Sequence, residues 1–262
     1  MKVNGNNMNI VISPEYEHLQ GYLETIPDLM ANDVADKLYD GRNKIVRFTS
    51  LCGTDLVVKQ YKRHNWLKCI IYTFFRPSKA RRSYNNAIEL RKRGFATPRE
   101  IAFIEKKYLG LIVQTYYICS YTSAKAIRSQ LIDKQPFNLS LAEEYAKYVV
   151  SLHEAGILHC DLNPTNVLYS TRETGGYCFE LIDINRMRFY NKSLSKVDSM
   201  KNLTLFWWLS DIYRYILYVY AATRGWQESD IAKAVEIKQK HDACWVRRKK
   251  ITRLLKHYIL RK

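Results

Sequence analysis

A chain of 262 residues, 47% hydrophobic and 26% charged, can bury a large core as one domain or two lobes. Its six cysteines (Cys52, Cys69, Cys119, Cys160, Cys178, Cys244) are scattered without a C-x-x-C pair, which argues against a disulfide framework or a zinc site and suits a reducing cytosol. The net charge of +17 is concentrated in residues 59–82 and 245–262, each with eight Lys or Arg and no acid: either a face for a polyanion (membrane surface, anionic glycolipid or nucleic acid) or a solvated basic helix.

The first residues, Met1 to Asn7, are polar and lack the apolar core of a signal peptide. Ile10–Ile12 reads as a short strand, followed by helical, mostly polar sequence. Residues 38–48 alternate around Asp40-Gly41, a hairpin signal, and a second turn at 52–55 leads into an apolar strand, Leu56 to Tyr61. Lys59 therefore stands at the end of the third of three antiparallel strands. The first turn, Gly41-Arg42-Asn43, presents backbone N–H groups as a phosphate-covering loop would, and as an ordinary hairpin turn would.

Residues 64–75 mix Trp66, Leu67 and a run of aliphatic and aromatic side chains with basic ones. That pattern fits an interfacial helix on anionic lipid or a buried helix between strands. Ser78 to Arg93 reads as a helix stopped by Gly94 and Pro98. Two more strands, 99–105 and 111–118, join at Leu109-Gly110 and run into Cys119-Ser120-Tyr121. A helix over Ser140–Ala155 opens on the capping box Ser140-Leu141-Ala142-Glu143 and ends at Gly156, with His153 a packed residue on it. The most apolar window, 203–222, contains Asp211 and Arg214, so it is expected to be a buried core helix and not a membrane span.

The chemistry concentrates in Gly156 to Leu168, which reads H-x-D-x-x-x-x-N through His159, Asp161 and Asn166, and in a strand, 179–182, that ends in Asp183-Ile184-Asn185. Residues 167–169 and 178–182 flank a turn containing Gly175-Gly176 and should pair as a hairpin. Pairing would bring Asn166 beside Asp183. An amide oxygen and a carboxylate at one point suit a hard cation such as Mg²⁺ bridging phosphates, with Asp161 placed for an attacking hydroxyl. The other reading is three unrelated polar loop residues.

His159 through Asn166 with Asp183-Ile184-Asn185 resembles the protein-kinase-like superfamily. Arg42-Asn43, Ser78 to Tyr84 and Gly94 to Pro98 narrow the resemblance to the bacterial lipopolysaccharide-core (Kdo/heptose) kinases, over roughly residues 38–225. The resemblance implies an α+β, two-lobed protein-kinase-like fold: an N-lobe, 1–119, with an antiparallel sheet and one or two helices, and a mainly helical C-lobe, 120–262, ending in a basic helix. It implies ATP and Mg²⁺ as cofactors, Asp161 as catalytic base, His159 as a brace of the loop, and Asn166 and Asp183 as metal ligands. Lys59 would contact the ATP phosphates, Gly41, Arg42 and Asn43 would cover them, and backbone groups from Cys119 to Tyr121 would hold the adenine edge. Asp211 would anchor the catalytic-loop backbone. The implied substrate is a sugar hydroxyl on an acidic glycolipid, lipid A with its inner core. The protein would be cytoplasmic and peripheral on the inner face of the bacterial inner membrane.

Two departures stand out. The helix glutamate that pairs with the strand lysine in kinases is replaced by Asn85, with Glu89 one turn later, a change that a pseudokinase acting as a binding module would also show. Asn163 stands where protein kinases carry a lysine, and no Ala-Pro-Glu follows Asp183, which argues against a peptide substrate. A kinase of another small molecule is the further alternative, though its cationic acceptors would prefer an acidic cleft. No nucleic-acid-recognition signature accompanies the charge, so no nucleic-acid partner is expected.

Overall fold

Period-2 alternation along residues 38–61 builds the strands β3 (Asp36–Asp40), β4 (Lys44–Thr49) and β5 (Asp55–Gln60) at one side of a seven-stranded antiparallel sheet. β1 (Lys2–Gly5), β2 (Met8–Ile12), β6 (Glu100–Tyr108) and β7 (Leu111–Ser120) complete it in the order β1-β2-β6-β7-β5-β4-β3. The computed structural model describes residues 2–5, 7–32 and 36–259. Alternation sends Leu56, Val58, Ile104 and Ile118 to one face, where they meet Leu23, Ile26 and Met30 of α1 (Gln20–Ala31). Each such fully buried aliphatic side chain contributes about 1.5–3 kcal/mol. The mostly polar sequence around α1 thus contains one apolar face. Phe103, Tyr117 and Tyr61 belong to a second cluster, with Ala80 and Tyr84 of α3 (Lys79–Lys92).

Between β5 and α3 the chain forms a short helix, α2 (Trp66–Ile70), continued by one π turn, Ile71–Phe75. Asn65 caps α2 by accepting from the Lys68 N–H. Of the two readings for this stretch, burial fails: Trp66, Phe74 and Phe75 are 74%, 70% and 79% exposed.

The chain divides into two units, residues 1–123 with 180–186, and residues 124–179 with 187–262. The boundary thus falls after Ser123 where the sequence suggested residue 119, and residues 180–186 return to the first unit. They do so because Leu181 N–H donates to Ala96 O at 3.0 Å and its carbonyl accepts from Thr97 Oγ1 at 2.7 Å.

The second unit is mainly helical, with α4 (Arg128–Leu131), α5 (Leu139–Glu154), α6 (Lys196–Leu203), α7 (Asp211–Thr223) and α8 (Glu228–Ile259). Its strands are short: β8 (Lys125–Ala126), β9 (Ile157–Leu158), β10 (Val167–Thr171), β11 (Tyr177–Leu181) and β12 (Arg188–Phe189), ordered β11-β10-β8 and β12-β9. The expected hairpin of 167–169 with 178–182 is therefore β10–β11. α5 begins one residue before the proposed box, and its cap is Asn138, whose Oδ1 accepts from Leu141 N–H at 3.0 Å. The apolar window 203–222 is not one helix. It comprises the end of α6, a turn at 204–210 and α7, and Asp211 is the exposed first residue of α7.

α8 is fastened by its inner half. Lys238, 1% exposed, donates to Thr204 O at 3.0 Å and to Asp242 Oδ1 at 2.6 Å, while Asp242 Oδ2 accepts from Leu209 N–H. From residue 243 to 252 every side chain is exposed, so the second basic segment is a solvated helix over its described part.

Candidate active site

The stretch from His159 to Asn166 bridges β9 and β10 in the second unit. Gly156 delivers the chain into it with φ +71°; a Cβ there would run into the carbonyl oxygens of Tyr190 and Lys192, so only glycine fits. Inside the loop, Asp161 collects neutral donors. Its carboxylate Oδ1 accepts from Asn163 Nδ2 at 3.0 Å, and its carbonyl accepts from Asn166 Nδ2 at 2.9 Å and from Asn163 N–H at 2.8 Å. The Asp161 N–H donates to His159 Nδ1 at 3.2 Å. Where a lysine would place a cation on this carboxylate, Asn163 offers an amide.

A buried polar chain holds the loop from behind. Asn202, on α6, donates from Nδ2 to His159 O at 2.9 Å, and its Oδ1 meets His153 Nε2 at 2.9 Å. A carbonyl can only accept, so the amide orientation is fixed and His153 donates through Nε2. Its Nδ1 then accepts from Tyr220 OH at 2.8 Å. Burial holds His153 neutral, lowering its pKa to about 4 against a weaker opposing pull from Asn202. The anchoring role assigned to Asp211 thus belongs to Asn202, because Asp211 begins α7 on the surface while Asn202 faces inward near the end of α6. No motif marks Asn202; its one sequence signal is an amide on the helical face that also carries Ser199, Met200 and Leu203.

Lys59 and Asp183 stand in the first unit. Lys59 Nζ and Asp183 Oδ1 form an ion pair at 2.7 Å, and Asn185 Nδ2 donates to the same oxygen at 2.6 Å. Asp183 has φ +54°, a left-handed conformation that costs a non-glycine residue roughly 1–2 kcal/mol and that these bonds help to hold. α3 is locked beside it by Asn86, whose Nδ2 donates to Ile184 O at 2.8 Å. The expectation about Asn85 and Glu89 is corrected. Asn85 is exposed, one position out of phase with the inward face, and Glu89 pairs with Arg93 at 2.7 Å. The acid that meets Lys59 is Asp183.

The remaining candidates also lie in the first unit. Gly41, Arg42 and Asn43 form the β3–β4 turn, closed by Gly41 N–H to Asn43 O at 3.2 Å and tied to the end of β5 by Asn43 Oδ1 accepting from Lys62 N–H at 3.3 Å. Arg42 is exposed. Burial pushes the Cys119 thiol up to about 12, so it is neutral at ordinary pH. The Tyr121 N–H donates to Asp55 O at 3.1 Å, and its ring lies 3.9 Å under the Arg47 guanidinium.

The donor set suits a hard cation. Asn166 spends its nitrogen on Asp161 O, which leaves its amide oxygen without a donor among the described residues. Asn185 Oδ1 is buried and has no hydrogen-bond partner among the described residues. In the first unit the Asp183 carboxylate lies beside it, so that unit by itself presents oxygen donors of the kind a hard cation takes. Among the described residues no group of three His, Cys, Asp or Glu could hold a metal ion by itself.

The profile of the lipopolysaccharide kinase (Kdo/WaaP) family matches residues 40–236. Among solved structures, WaaP in complex with acyl carrier protein superposes with a TM-score of 0.57 at 15% identity, covering 88% of this chain and 98% of that one, a likeness of fold. The Rio2 kinase from Chaetomium thermophilum, in its complex with ADP, Mg²⁺ and phosphoaspartate, matches with a TM-score of 0.45 at 16% identity, over 86% of this chain and 77% of that one. A search of curated proteins found no match.

Proposed function

Because the chain belongs to the lipopolysaccharide kinase (Kdo/WaaP) family, and so is a phosphotransferase acting on lipopolysaccharide, we propose that it moves the terminal phosphoryl group of Mg²⁺-ATP onto a hydroxyl of an inner-core sugar, Kdo or heptose, at the cytoplasmic face of the inner membrane. The observation that carries this reading is the Asp161 loop. A carboxylate oriented by a neutral amide, on a backbone tied to buried side chains, can accept the proton of an incoming hydroxyl without a cation competing for it. Asn163 fixes the carboxylate, and His159 braces the turn through its Nδ1.

Asn166 and Asp183 would hold Mg²⁺, which when bound offsets charge on the phosphate oxygens. Lys59 donates to those oxygens in place of the Asp183 carboxylate it meets in the free protein. The turn Gly41-Arg42-Asn43 covers the phosphates, and the backbone from Cys119 to Tyr121 takes the adenine edge. Among the described residues no helix is long and apolar enough to cross a membrane. We assign membrane contact to the exposed Trp66, Phe74 and Phe75, flanked by Lys62, Arg63, Lys68 and Arg76, as a peripheral contact with anionic lipid.

The test is transfer from labelled ATP to lipid A bearing its inner-core sugars. Asp161→Asn is expected to lower the rate by about a thousandfold or more while Mg²⁺-ATP affinity stays within twofold. Full turnover by that variant would overturn the assignment of Asp161.

A further inference from the structure

Three cations around α3 lack the acids that their neighbours have. On the same helix Arg91 pairs with Glu100 and Arg93 with Glu89. Lys79 and Arg82, one turn apart on the face that carries Asn86, have no carboxylate within ion-pair reach among the described residues, and neither has Arg186. Glu105, at the start of the helix, is engaged by Ser78 Oγ at 2.6 Å and by Asn9 Nδ2 at 3.0 Å. Arg186 ends the 3-10 turn Ile184–Arg186, which the bond from Asn86 to Ile184 O sets against this face. The Arg82 Nε is enclosed and meets no partner among the described residues, although a guanidinium N–H is among the costlier groups to leave unpaired.

The cluster adjoins the Lys59–Asp183 pair. Lys79 Nζ lies 5.6 Å from the centre of the Tyr61 ring, and Lys59 Nζ lies 5.4 Å from the same centre. Tyr61 is buried, its hydroxyl bonded to Ser83 Oγ at 2.8 Å, so the ring is a fixed platform for both ammonium groups. Burial and the positive charges of Arg42, Lys68, Arg186 and Arg82 lower the Lys79 pKa, and Arg82 is shifted the same way by burial, Arg76 and Arg186. Unneutralised like charge at this density calls for a counter-anion.

We propose that Lys79, Arg82 and Arg186, with Arg42 at the rim, form an oxyanion site that seats a carboxylate or phosphate of the acceptor glycolipid beside the Lys59–Asp183 pair. The inference rests on the kinase reading above. Nucleotide phosphates are the competing occupant, but Mg²⁺ and Lys59 already offset most of the triphosphate charge, and three further cations exceed what it needs. Arginine forks match carboxylate and phosphate geometry. The exposed aromatic segment 66–75 leads within a few residues into Lys79, so one stretch of chain offers both a lipid-facing surface and the anion site.

The test is calorimetric titration of the full chain with the deacylated inner-core glycan. The glycan is used intact, with its sugar carboxylate reduced to an alcohol, and with its phosphates removed. Arg82→Ala and Arg186→Gln are each expected to weaken binding of the intact glycan about tenfold, with Mg²⁺-ATP affinity unchanged within twofold. Whichever modified glycan binds wild type and Arg186→Gln equally names the anion. Equal or greater loss of Mg²⁺-ATP binding would assign the cluster to the nucleotide and overturn the proposal. So would unchanged glycan affinity in Arg186→Gln, whose exposed side chain can be replaced without disturbing the fold, or absence of glycan binding by wild type. Failure of the kinase reading looks different: wild type would bind the glycan and transfer nothing to it.

Discussion

Two carboxylates, Asp161 of the second unit and Asp183 of the first, are held by opposite means. Asp161 rests on a loop whose backbone is tied by neutral groups to a buried chain, Asn202, His153 and Tyr220. Asp183 stands at a left-handed residue and is held by a lysine and an amide on the same oxygen. The first arrangement is complete without ligand, so the carboxylate proposed as base is pre-oriented. The second relies on a partly exposed charge pair that an anion can enter, so under the proposed function the metal ligand and its lysine would respond to nucleotide. Pre-organised dipoles hold Asp161, and exchangeable charges hold Asp183.

Substitutions can break this comparison at either end. Asp183→Asn should have the largest effect, a loss of transfer of about a thousandfold in steady-state assays together with loss of Mg²⁺-dependent nucleotide binding, with thermal stability little changed. Asn202→Ala should act the other way round. It orphans His153 Nε2–H and His159 O, two buried groups at about 1–3 kcal/mol each, so chemical denaturation should show a loss of about 2–6 kcal/mol, and kcat should fall with nucleotide affinity kept.

Acidity sharpens the same contrast. His153 has a folded-state pKa of about 4 against an ordinary 6.5, so the unfolded chain takes up the proton first. The stability from keeping this ring neutral is whole above pH 6.5 and drains away as pH falls toward 4, by about 3 kcal/mol. Denaturation series between pH 7 and 4 should show that loss, and His153→Gln should flatten it. Lys59→Gln should give the smallest change in stability, within about 1 kcal/mol, while raising the KM for ATP about tenfold, since the pair is partly exposed.

Much of this architecture was legible in the residues. Alternation placed Lys59 at the end of β5, and the spacing of His159, Asp161 and Asn166 marked the loop because chemistry constrains those positions directly. What escaped was phase and support. Asn85 and Asn86 differ by 100° of helix rotation, and only packing against Ile184 shows that the inward residue is Asn86. Asn138 and Ser140 are both good caps, and the bond to Leu141 N–H decides between them. Asp211 drew the anchoring role because an apolar window looked like one helix. Asn202, which performs it, obeys no spacing rule, since its partners lie 49 and 43 residues away in the chain.

Gly156 carries a consequence for genetic screens. In a saturation library scored by growth, position 156 should tolerate substitution as poorly as position 161, because any side chain meets the carbonyls of Tyr190 and Lys192. The two should separate when the same library is scored by protein abundance. Variants at 161 would accumulate as full-length, inert protein, and variants at 156 would be cleared by proteolysis, which marks the glycine as a hazard when inactive alleles are chosen as controls.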